Sequence, residues 1–538
     1  MTVNVVASTD DATMAVEPLL PPPIEKPQKL TVDSSLRMKW YTFRVLLLAE
    51  FVLLGSAGNM VYMTYAAATP KTVSCIGPNI TIADLCKEHP NDWKNLDCDP
   101  IPHYEFRSLN VEFNHLCGET ALVKSSLSVQ MAGVLVGAMF WGHISDTRGR
   151  KAALVPTFTL MTLLSIACTF TWDLMSFTIV RTVLSFFNGG ALGVYGVYKI
   201  EHLPHKHRFL IVSLIAWSPN FLIVNGLAYL AGDWRTFQYI LCAISSPAFI
   251  CFFFIYESPR FLIQRGRLVE ARQVMARMQE IDGVSDAKKE DMNRMIDDEH
   301  ERMLQREKKT KRYNIFHLFK YKELAVPTLV FSFGILFTSM TSYGIMFFID
   351  ALSGSLYLNS MYLGIMRWSI NIIVGISDYN FLWITRRVVH TVTLSITVIM
   401  LSTIVTIRFL GLADQFTQVV RICTLITSAC CSQIFITKGM TSMEFYPTPL
   451  RNSASSFQAT FARVGNIFAP LLFFHIPTHW LYACLCCLAV VDCIVFFLVI
   501  PETKGRPLSE KLPGEREEDE RGPRNEPLQL VKSDKNGV

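Results

Sequence analysis

The sequence is dominated by long apolar stretches that alternate with polar segments. A helix needs about 20 mostly apolar residues to cross the roughly 30 Å hydrocarbon core of a bilayer. Lipid offers the backbone no partners, so each span must satisfy its own hydrogen bonds. We therefore predict an all-α membrane protein with about twelve spans, near residues 42–67, 122–142, 152–172, 174–197, 208–230, 236–256, 324–349, 356–383, 388–410, 415–438, 453–475 and 477–500.

The composition supports this class. Apolar residues make up 51% of the chain and charged residues 18%, and the mean hydropathy is +0.30. Soluble proteins carry about a quarter charged residues, so this chain cannot cover a water-facing surface well, which argues against a cytosolic enzyme. A net charge of +5 is also too small to indicate a nucleic acid partner.

The sequence contains no pattern typical of an enzyme. We find no Walker loop, no nucleophile paired with a base and no metal-ligand spacing. We therefore predict no catalytic site, no cofactor, no bound metal and no use of ATP. The expected partners are the lipid bilayer and a small molecule, and the oligomeric state is left open.

The basic residues of the short loops predict the orientation in the membrane. Lys and Arg accumulate in cytoplasmic loops, and here they follow spans two, four and eight, with the long segment 257–323 on the same side. We therefore expect the tails 1–41 and 501–538 to be cytoplasmic. The plasma membrane is the expected location.

The first outer loop, residues 68–121, is long and polar. It contains four cysteines in an oxidising compartment, which indicates two disulfides whose pairing the sequence leaves open. It also contains the glycosylation sequon Asn79-Ile80-Thr81. The cysteines are Cys75, Cys86, Cys98 and Cys117.

A repeated motif divides the chain into two halves. Glu201-x-x-Pro204-x-x-x-Arg208 after span four matches Glu444-x-x-Pro447-x-x-x-Arg451 after span ten, and Glu257 after span six matches Glu502 after span twelve. The two pairs have nearly the same offset, 243 and 245 residues. We infer a duplication that relates a bundle at 42–256 to one at 324–500, joined by the linker 257–323.

Two parallel six-span halves are typical of transporters that alternate access to a site between the halves. Acids and bases cluster at the cytoplasmic helix ends, where they could pair when a cytoplasmic gate closes. The alternative is that the basic groups only determine topology. The candidate gate residues are Asp146, Arg148, Arg150, Glu201, Arg208, Glu257, Arg260, Glu444, Arg451 and Glu502.

Several motifs resemble the major facilitator superfamily. Gly142-x-x-Ser145-Asp146-x-x-Gly149-Arg150-Lys151 is similar to its signature between spans two and three. A closer resemblance, from about 38 to 510, is to the organic cation, organic anion and carnitine transporters (solute carrier family 22). It rests on the Cys-bearing first loop and on Asp233-Trp234-Arg235-Thr236, Glu257-Ser258-Pro259-Arg260, Glu444-Phe445-Tyr446-Pro447-Thr448 and Pro501-Glu502-Thr503-Lys504-Gly505.

This resemblance implies the major facilitator fold, with twelve helices in two bundles and a large disulfide-bearing extracellular loop. The sequence departs from the family after span eight, where Thr385-Arg386-Arg387 replaces Gly-Arg-Arg and Asp378 lies further away than usual. We therefore expect the second half to have a degenerate hinge.

Arg463 is the main candidate for binding substrate. It lies well inside the window 453–475, where a charge is expensive and by default marks a pathway. In the resembled family, anion and carnitine transporters carry an Arg here and cation transporters an Asp. The resemblance therefore favours anions or zwitterions. The alternative is an Arg that pairs with an acid on another helix or reaches an interface.

Further candidates are side chains that could contact a flat organic ion. Lys438 either pairs with Asp492 or provides a second anion contact. Aromatic rings attract cations and stack on apolar groups, although aromatics in spans are more often packing. Buried amides need partners. These remaining candidates are Tyr195, Tyr198, Trp217, Tyr343, Asn59 and Asn371.

These observations favour a transporter of small organic ions, with anions or carnitine-like zwitterions preferred over cations. It is expected to work by alternating access, as a facilitator or an exchanger. Two alternatives remain open at this point, a sugar-porter-like carrier and a non-transporting receptor or scaffold with the same fold.

Overall fold

The computed structural model describes residues 36–74, 80–88, 101–204, 211, 217–283, 289–309, 315–381 and 383–504. Helices occupy every predicted span where it is described, and residues 208–210 and 212–216 of the fifth predicted span lie outside the described residues. Both predicted tails lie largely outside the described residues, as do Cys75, Asn79, Cys98 and Arg208.

The N-terminal half is a bundle of six helical spans, the last of them broken at Ser246. The first span is α1, and the others follow the outer loop. Their bounds are α1 Trp40–Ala66, α4 Thr120–Arg148, α5 Arg150–Cys168, α6 Leu174–Glu201, α7 Trp217–Ala231, and α8 Trp234–Ser245 with α9 Pro247–Phe253.

The C-terminal half repeats the arrangement. Its spans are α14 Lys322–Phe347, α15 Leu356–Asn380, α16 Arg386–Phe409, α17 Thr417–Phe445, α18 Thr448–His475 and α19 Thr478–Val499. Among the described residues, nine helices are long and apolar enough to cross a membrane. The three that fall short are α7, whose described part is 15 residues long, and the more polar α15 and α18.

The outer loop folds into a small domain between α1 and α4. Strands β1 Thr72–Ser74, β2 Ile80–Thr81 and β3 Ile101–His103 form an antiparallel sheet in the order β2-β1-β3, beside α2 Ile82–Glu88 and α3 Leu109–Glu112. A disulfide joins Cys86 to Cys117, which confirms one bridge and provides its pairing. The prediction of an all-α protein missed this sheet because its strands are too short to show a period.

The motif Asp233-Trp234-Arg235-Thr236 fastens the loop to the N-terminal half. Asp233 begins α8 by accepting hydrogen bonds from the backbone N–H groups of Arg235 and Thr236, both at 2.9 Å, as an N-cap carboxylate does. Trp234 and Arg235 both donate to Glu112 of the loop. The motif therefore has a structural role.

The linker forms helices on the opposite side from the loop. They are α10 Pro259–Gln264, α11 Leu268–Ile281 and α12 Lys289–Lys309, and α13 His317–Lys320 leads into the second half. The first three share a small apolar core that includes Phe261, Met275 and Ile296. We call this side of the molecule the linker face and the opposite side the loop face.

The two halves are joined at the loop face. Lys124 of α4 and Asp350, just beyond α14, form a buried ion pair at 3.0 Å, and Asp350 also accepts from the backbone N–H of Thr69. Glu105 of the loop accepts from the hydroxyl of Ser355 and the N–H of Leu356. These contacts close the loop face across both halves.

Toward the linker face, hydrogen bonds between the halves become sparse among the described residues. The deepest hydrogen bond between them among the described residues joins Asn371 Nδ2 to Ser218 Oγ at 3.5 Å. Beyond it, each ion pair in the described part of the chain joins groups of a single half or of the linker. Ion pairs and hydrogen bonds therefore join the halves at the loop face, whereas the ion pairs toward the linker face stay within one half or within the linker.

We predict that Asp350→Asn destabilises the protein, because it leaves the Lys124 ammonium buried without its counter-ion. Removing one partner of a buried ion pair costs about 3–5 kcal/mol. The melting temperature of the purified protein in detergent measures this loss.

Glu270→Gln is the matched control, since the Arg267–Glu270 pair is about half exposed on both sides. An exposed pair contributes about 0–1 kcal/mol. Equal melting temperatures for the two variants would contradict a stabilising role for the Lys124–Asp350 pair.

Candidate functional site

Tyr343 of α14 lies near two arginines in the interior of the C-terminal half. The guanidinium groups of Arg463 (α18) and Arg367 (α15) are both within electrostatic reach of its phenol. Helix α18 packs on α14 within its own half and on α4 of the other half. This group, which we call the Tyr343 site, therefore lies where the halves meet.

Neither arginine has a carboxylate partner among the described residues. Arg367 is 6% exposed and donates to Ser342 Oγ at 3.1 Å, while its Nε has no hydrogen-bond partner in the same part of the chain. Its guanidinium lies 5.9 Å from the ring centre of Phe221, on α7 of the other half. Arg463 makes no hydrogen bond or ion pair to a described residue. The site thus carries two positive charges without a fixed counter-ion.

Arg367 was missed by the reasoning from sequence. Its signal was available, because it is an ionisable residue inside the window 356–383 and the rule that singled out Arg463 applies to it equally.

One of the predicted contacts, Asn371, lies close to this site, and a second, Trp217, packs on the same apolar cluster as Tyr343. Asn371 follows Arg367 by four residues, so both lie on one face of α15. Its Nδ2 donates to Ser432 Oγ at 3.2 Å, and its Oδ1 has no partner among the described residues. Trp217 of α7 and Tyr343 are both half-buried against the same apolar core.

Three other candidates lie in the N-terminal half, where they have packing partners. Tyr198 is 1% exposed and donates to the carbonyl of Tyr256 at 2.6 Å. Tyr195 is half-buried and lies 5.4 Å from the ammonium of Lys199. The structure does not bring either tyrosine to the Tyr343 site.

Asn59 is part of a buried polar network with Arg181. Its side-chain oxygen accepts from Arg181 at 2.8 Å and from Ser165 at 3.3 Å, and Arg181 also lies 4.3 Å from the ring centre of Tyr62. The hydrogen bonds with Asn59 therefore offset part of the free-energy cost of burying the Arg181 guanidinium.

Lys438 pairs with Asp492, which was one of the two alternatives drawn from the sequence. The ammonium donates to Asp492 Oδ2 at 2.6 Å, and Lys438 is fully buried. Gly334 of α14 lies against both charges. A Cβ at that position would come within 2.1 Å of Lys438 Nζ and 2.4 Å of Asp492 Oδ1.

The acids and bases of the N-terminal half form a compact cluster at the linker face. Arg150 forms ion pairs with Asp146 and, at 3.2 Å, with Glu201. Glu257 accepts from the backbone N–H groups of Arg150 at 2.8 Å and Lys151 at 3.1 Å. Arg148 is exposed beside this cluster.

The C-terminal half builds an equivalent cluster. Arg386 forms ion pairs with Asp378 at 2.8 Å and Glu444 at 3.1 Å, and Glu502 accepts from the N–H groups of Arg386 and Arg387, both at 3.1 Å. Burial raises the pKa of Glu502, but these N–H groups and that of Lys504 outweigh it and keep the pKa below its ordinary value.

The second half therefore keeps the charge cluster, whereas its hinge differs as expected: Gly149 has a φ of +129° before Arg150, and Thr385 has a φ of −93° before Arg386 and caps its helix with its side chain. Arg386 takes the place of Arg150, and Asp378 reaches it from eight residues away because α15 ends before the loop turns back. Lys504 adds a second ion pair to Asp378 at 3.1 Å. Arg451 lies beside the cluster and donates to the carbonyl of Tyr446.

Comparison with known proteins places this geometry in a family. The sequence profile described as "Sugar (and other) transporter" matches residues 75–511. The chain belongs to this family of membrane transporters. Within it, the chain is a major facilitator transporter of the solute carrier family 22 type, as its relatives show.

Among these relatives are two from Drosophila melanogaster. The "Organic cation transporter protein" is 25% identical over 74% of this chain and 72% of the relative. The "Beta-alanine transporter" is 26% identical over 80% of this chain and 70% of the relative. A "Solute carrier family 22 member 7" from Bos taurus is 24% identical over 69% and 66%.

Solved structures show the same fold. The xylose transporter of E. coli in an inward open conformation superposes with a TM-score of 0.59, at 15% identity, over 87% of this chain and 98% of that one. Among the described residues of this chain, no group of three or more His, Cys, Asp or Glu side chains could hold a metal ion.

We predict that Gly334→Ala disrupts the Lys438–Asp492 pair, because the added methyl group would occupy the space of both charged groups. Separating a buried pair exposes each charge to an apolar surrounding at a cost of several kcal/mol. A fall in the melting temperature of the purified transporter measures the effect.

Gly439→Ala provides the control, since a Cβ there meets no described atom within 4 Å. An alanine in a helix interior is otherwise favoured over glycine by about 1 kcal/mol. A Gly334→Ala variant as stable as the control would show that the two charges can move apart without loss.

Proposed function

We propose that this transporter carries small organic anions or carnitine-like zwitterions by alternating access, as a facilitator or an exchanger. The observation that carries the proposal is the pair of arginines in the Tyr343 site without a carboxylate among the described residues. A charge at membrane depth costs free energy, and a substrate that supplies the missing negative charge would offset that cost.

The chemistry of the site suits a carboxylate attached to a flat or apolar body. A guanidinium offers donors in a planar fork that matches a carboxylate, and such charge-assisted hydrogen bonds are stronger than neutral ones. Tyr343 and Trp217 can stack on the rest of the substrate. The unpartnered oxygen of Asn371 could accept from a substrate N–H group.

A zwitterionic substrate is consistent with the name of one of the relatives. The name of the beta-alanine transporter from Drosophila melanogaster indicates an amino acid, which carries both charges at neutral pH. The organic cation transporter from the same organism shows that the family also moves positive ions. We place this chain with the carriers of anions and zwitterions because Arg463 stands where cation transporters of the resembled family carry an Asp, and Arg367 adds a second positive charge to the site.

The two charge clusters provide a basis for alternating access. With the loop face closed, each cluster pairs internally and its half can move as a unit. Closing the linker face would bring the clusters together while the Lys124–Asp350 pair separates. A network of several such pairs can bias a two-state equilibrium by a few kcal/mol. We also propose that the loop face is extracellular, that Asn79 is glycosylated there and that the membrane is the plasma membrane.

Uptake of labelled compounds into cells that express the transporter tests this function. The panel contains organic anions, carnitine-like zwitterions, organic cations and a sugar. We expect uptake of anions or zwitterions. Uptake of sugar alone would favour a sugar-porter-like carrier, and no uptake despite surface expression would favour a non-transporting receptor.

We predict that Arg463→Asp weakens anion uptake about ten-fold or more, which corresponds to about 1.4 kcal/mol of binding, because the new carboxylate repels the substrate. Arg367→Gln should raise the KM for the same anion without reversing the charge preference. Initial rates at several substrate concentrations measure both effects.

Arg37→Gln is the control variant, because Arg37 is exposed at the linker face and its loss changes charge without touching the site. The kinetics of this variant should match those of the unmodified protein. Unchanged anion kinetics in Arg463→Asp would remove the basis for the proposed substrate charge.

A further inference from the structure

A carboxylate in the first span forms no ion pair with a described residue. Glu50 lies ten residues after the start of α1, inside the window 42–67, so the rule that singled out Arg463 applies to it equally. Its Oε2 is buried and has no hydrogen-bond partner in the described part of the chain. Glu50 is therefore an acid at membrane depth with an unfilled oxygen.

The groups around Glu50 come from two neighbouring helices. The amide of Asn220 (α7) donates a hydrogen bond to the carboxylate, and Lys199 (α6) acts on it electrostatically from beyond ion-pair distance. Tyr195, one turn before Lys199, is also within electrostatic reach of Glu50. The Lys199 ammonium lies 5.4 Å from the centre of the Tyr195 ring. The nearby cation thus lies over the aromatic ring and leaves the second carboxylate oxygen unfilled.

These contacts do not explain why position 50 carries a charge. A glutamine has the same shape as a glutamate, and its side-chain oxygen would accept the same hydrogen bond from Asn220. It would also avoid the free-energy cost of placing a charge in the span. An ion pair with Lys199 would be the ordinary reason for the charge, but the two groups do not form one. The negative charge of Glu50 therefore has a role other than packing.

Helix α7 connects Glu50 to the Tyr343 site. Asn220 hydrogen-bonds to Glu50, and the next residue, Phe221, has its ring centre 5.9 Å from the guanidinium of Arg367. Consecutive residues of a helix point about 100° apart, so the acid of the N-terminal half and the arginine of the C-terminal half lie beside the same turn of α7. An opposite charge therefore lies near the two arginines without pairing with either.

The thickness of α7 sets the distance between these charges. A helix with its side chains is about 10–12 Å across, and a charge-assisted hydrogen bond takes up about 3 Å at each end of a ligand. A ligand that bridges Arg367 and Glu50 therefore has its own charges separated by about 5 Å. Short zwitterions, such as β- and γ-amino acids and carnitine-like betaines, have this spacing.

We propose that Glu50 binds the positively charged group of a zwitterion whose carboxylate binds the arginines of the Tyr343 site. The proposal rests on the proposed function for the carboxylate end, and it selects zwitterions over simple anions. The ammonium of the ligand lies against Oε2 of Glu50, and the nearby ring of Tyr195 adds the attraction that aromatic faces have for alkylammonium groups. A cation beside Glu50 also favours the ionised form of the carboxylate.

A ligand held in this way contacts both halves of the transporter. Its carboxylate lies on the C-terminal half, at Arg367 and Arg463, and its ammonium lies on the N-terminal half, at Glu50. A ligand shifts a conformational equilibrium only through its different affinities for the two states, and a bridging ligand binds best where the halves approach each other. The two charges of the zwitterion thus select the substrate and also favour closure around it.

The experiment compares two ligands that differ only at one end. The compounds 4-aminobutyrate and 4-hydroxybutyrate carry the same carboxylate on the same chain, with an ammonium in the first and a neutral hydroxyl in the second. The dependence of the melting temperature on ligand concentration gives their dissociation constants for the purified full-length transporter in detergent. We expect the unmodified protein to bind 4-aminobutyrate about ten-fold more tightly.

The variant Glu50→Gln removes the charge and keeps the hydrogen bond with Asn220. It should bind 4-aminobutyrate about ten-fold more weakly and 4-hydroxybutyrate as before, so that the preference disappears. Glu270→Gln is the matched control, because Glu270 is exposed in the linker and its loss should change neither dissociation constant. An undiminished preference for 4-aminobutyrate in Glu50→Gln would overturn the proposal.

The variant Glu50→Asp separates a binding role from a purely structural one. Aspartate keeps the charge but is shorter by one carbon–carbon bond, about 1.5 Å. We expect this variant to retain a preference for the ammonium and to favour 5-aminopentanoate, which is longer by one methylene, over 4-aminobutyrate. Loss of the preference in Glu50→Asp at every chain length would contradict a direct contact with the ligand.

The subsite and the proposed function fail separately. If neither carboxylate binds, the proposed function fails, and butylammonium, which has no carboxylate, then tests Glu50 alone. Equal binding of butylammonium by the unmodified protein and by Glu50→Gln would overturn the subsite. Equal binding of 4-hydroxybutyrate and 4-aminobutyrate by the unmodified protein would also overturn it and would favour a carrier of simple anions.

Discussion

The cost of holding charge inside a membrane is the constraint on which this structure depends. Each ionisable side chain within a span must find an opposite charge, a set of hydrogen bonds, or an external ligand. Lys438 has an opposite charge, the carboxylate of Asp492. Arg181 has a set of hydrogen bonds, formed with Asn59 and its neighbours. Among the described residues, Arg463 and Arg367 have no opposite charge and no complete set of hydrogen bonds. This is why we propose that they bind substrate.

The duplication of the chain separates what supports the fold from what serves function. The clusters around Arg150 and Arg386 repeat the same backbone and side-chain contacts at the linker face, so both halves need them. The Lys438–Asp492 pair occurs in the C-terminal half, and the equivalent N-terminal positions, counted back from the matched glutamates, are Tyr195 and Pro247.

The outer loop contributes to the conformation as well as to the surface. Its disulfide and small sheet hold Glu105 against the start of α15, and the Trp234–Glu112 contact ties the same domain to the N-terminal half. A single domain at the loop face therefore bridges both halves. Because the buried Lys124–Asp350 pair lies beneath it, opening this face requires several contacts to separate together.

From the amino-acid sequence alone we could predict the spans, the two halves, the charged residues at the helix ends and Arg463 as a candidate for binding substrate. These predictions depend on hydropathy, on repeated motifs and on the free-energy cost of burying a charge, and all three can be evaluated along the linear sequence. It did not reveal the sheet of the outer loop, the repeated cluster at Arg386, or the position of Arg367 beside Tyr343. Helical periodicity shows which face a residue occupies but not which helix lies opposite. Only tertiary packing, such as the close approach at Gly334 that brings α14 against Lys438 and Asp492, decides which charges meet and which are left for a ligand.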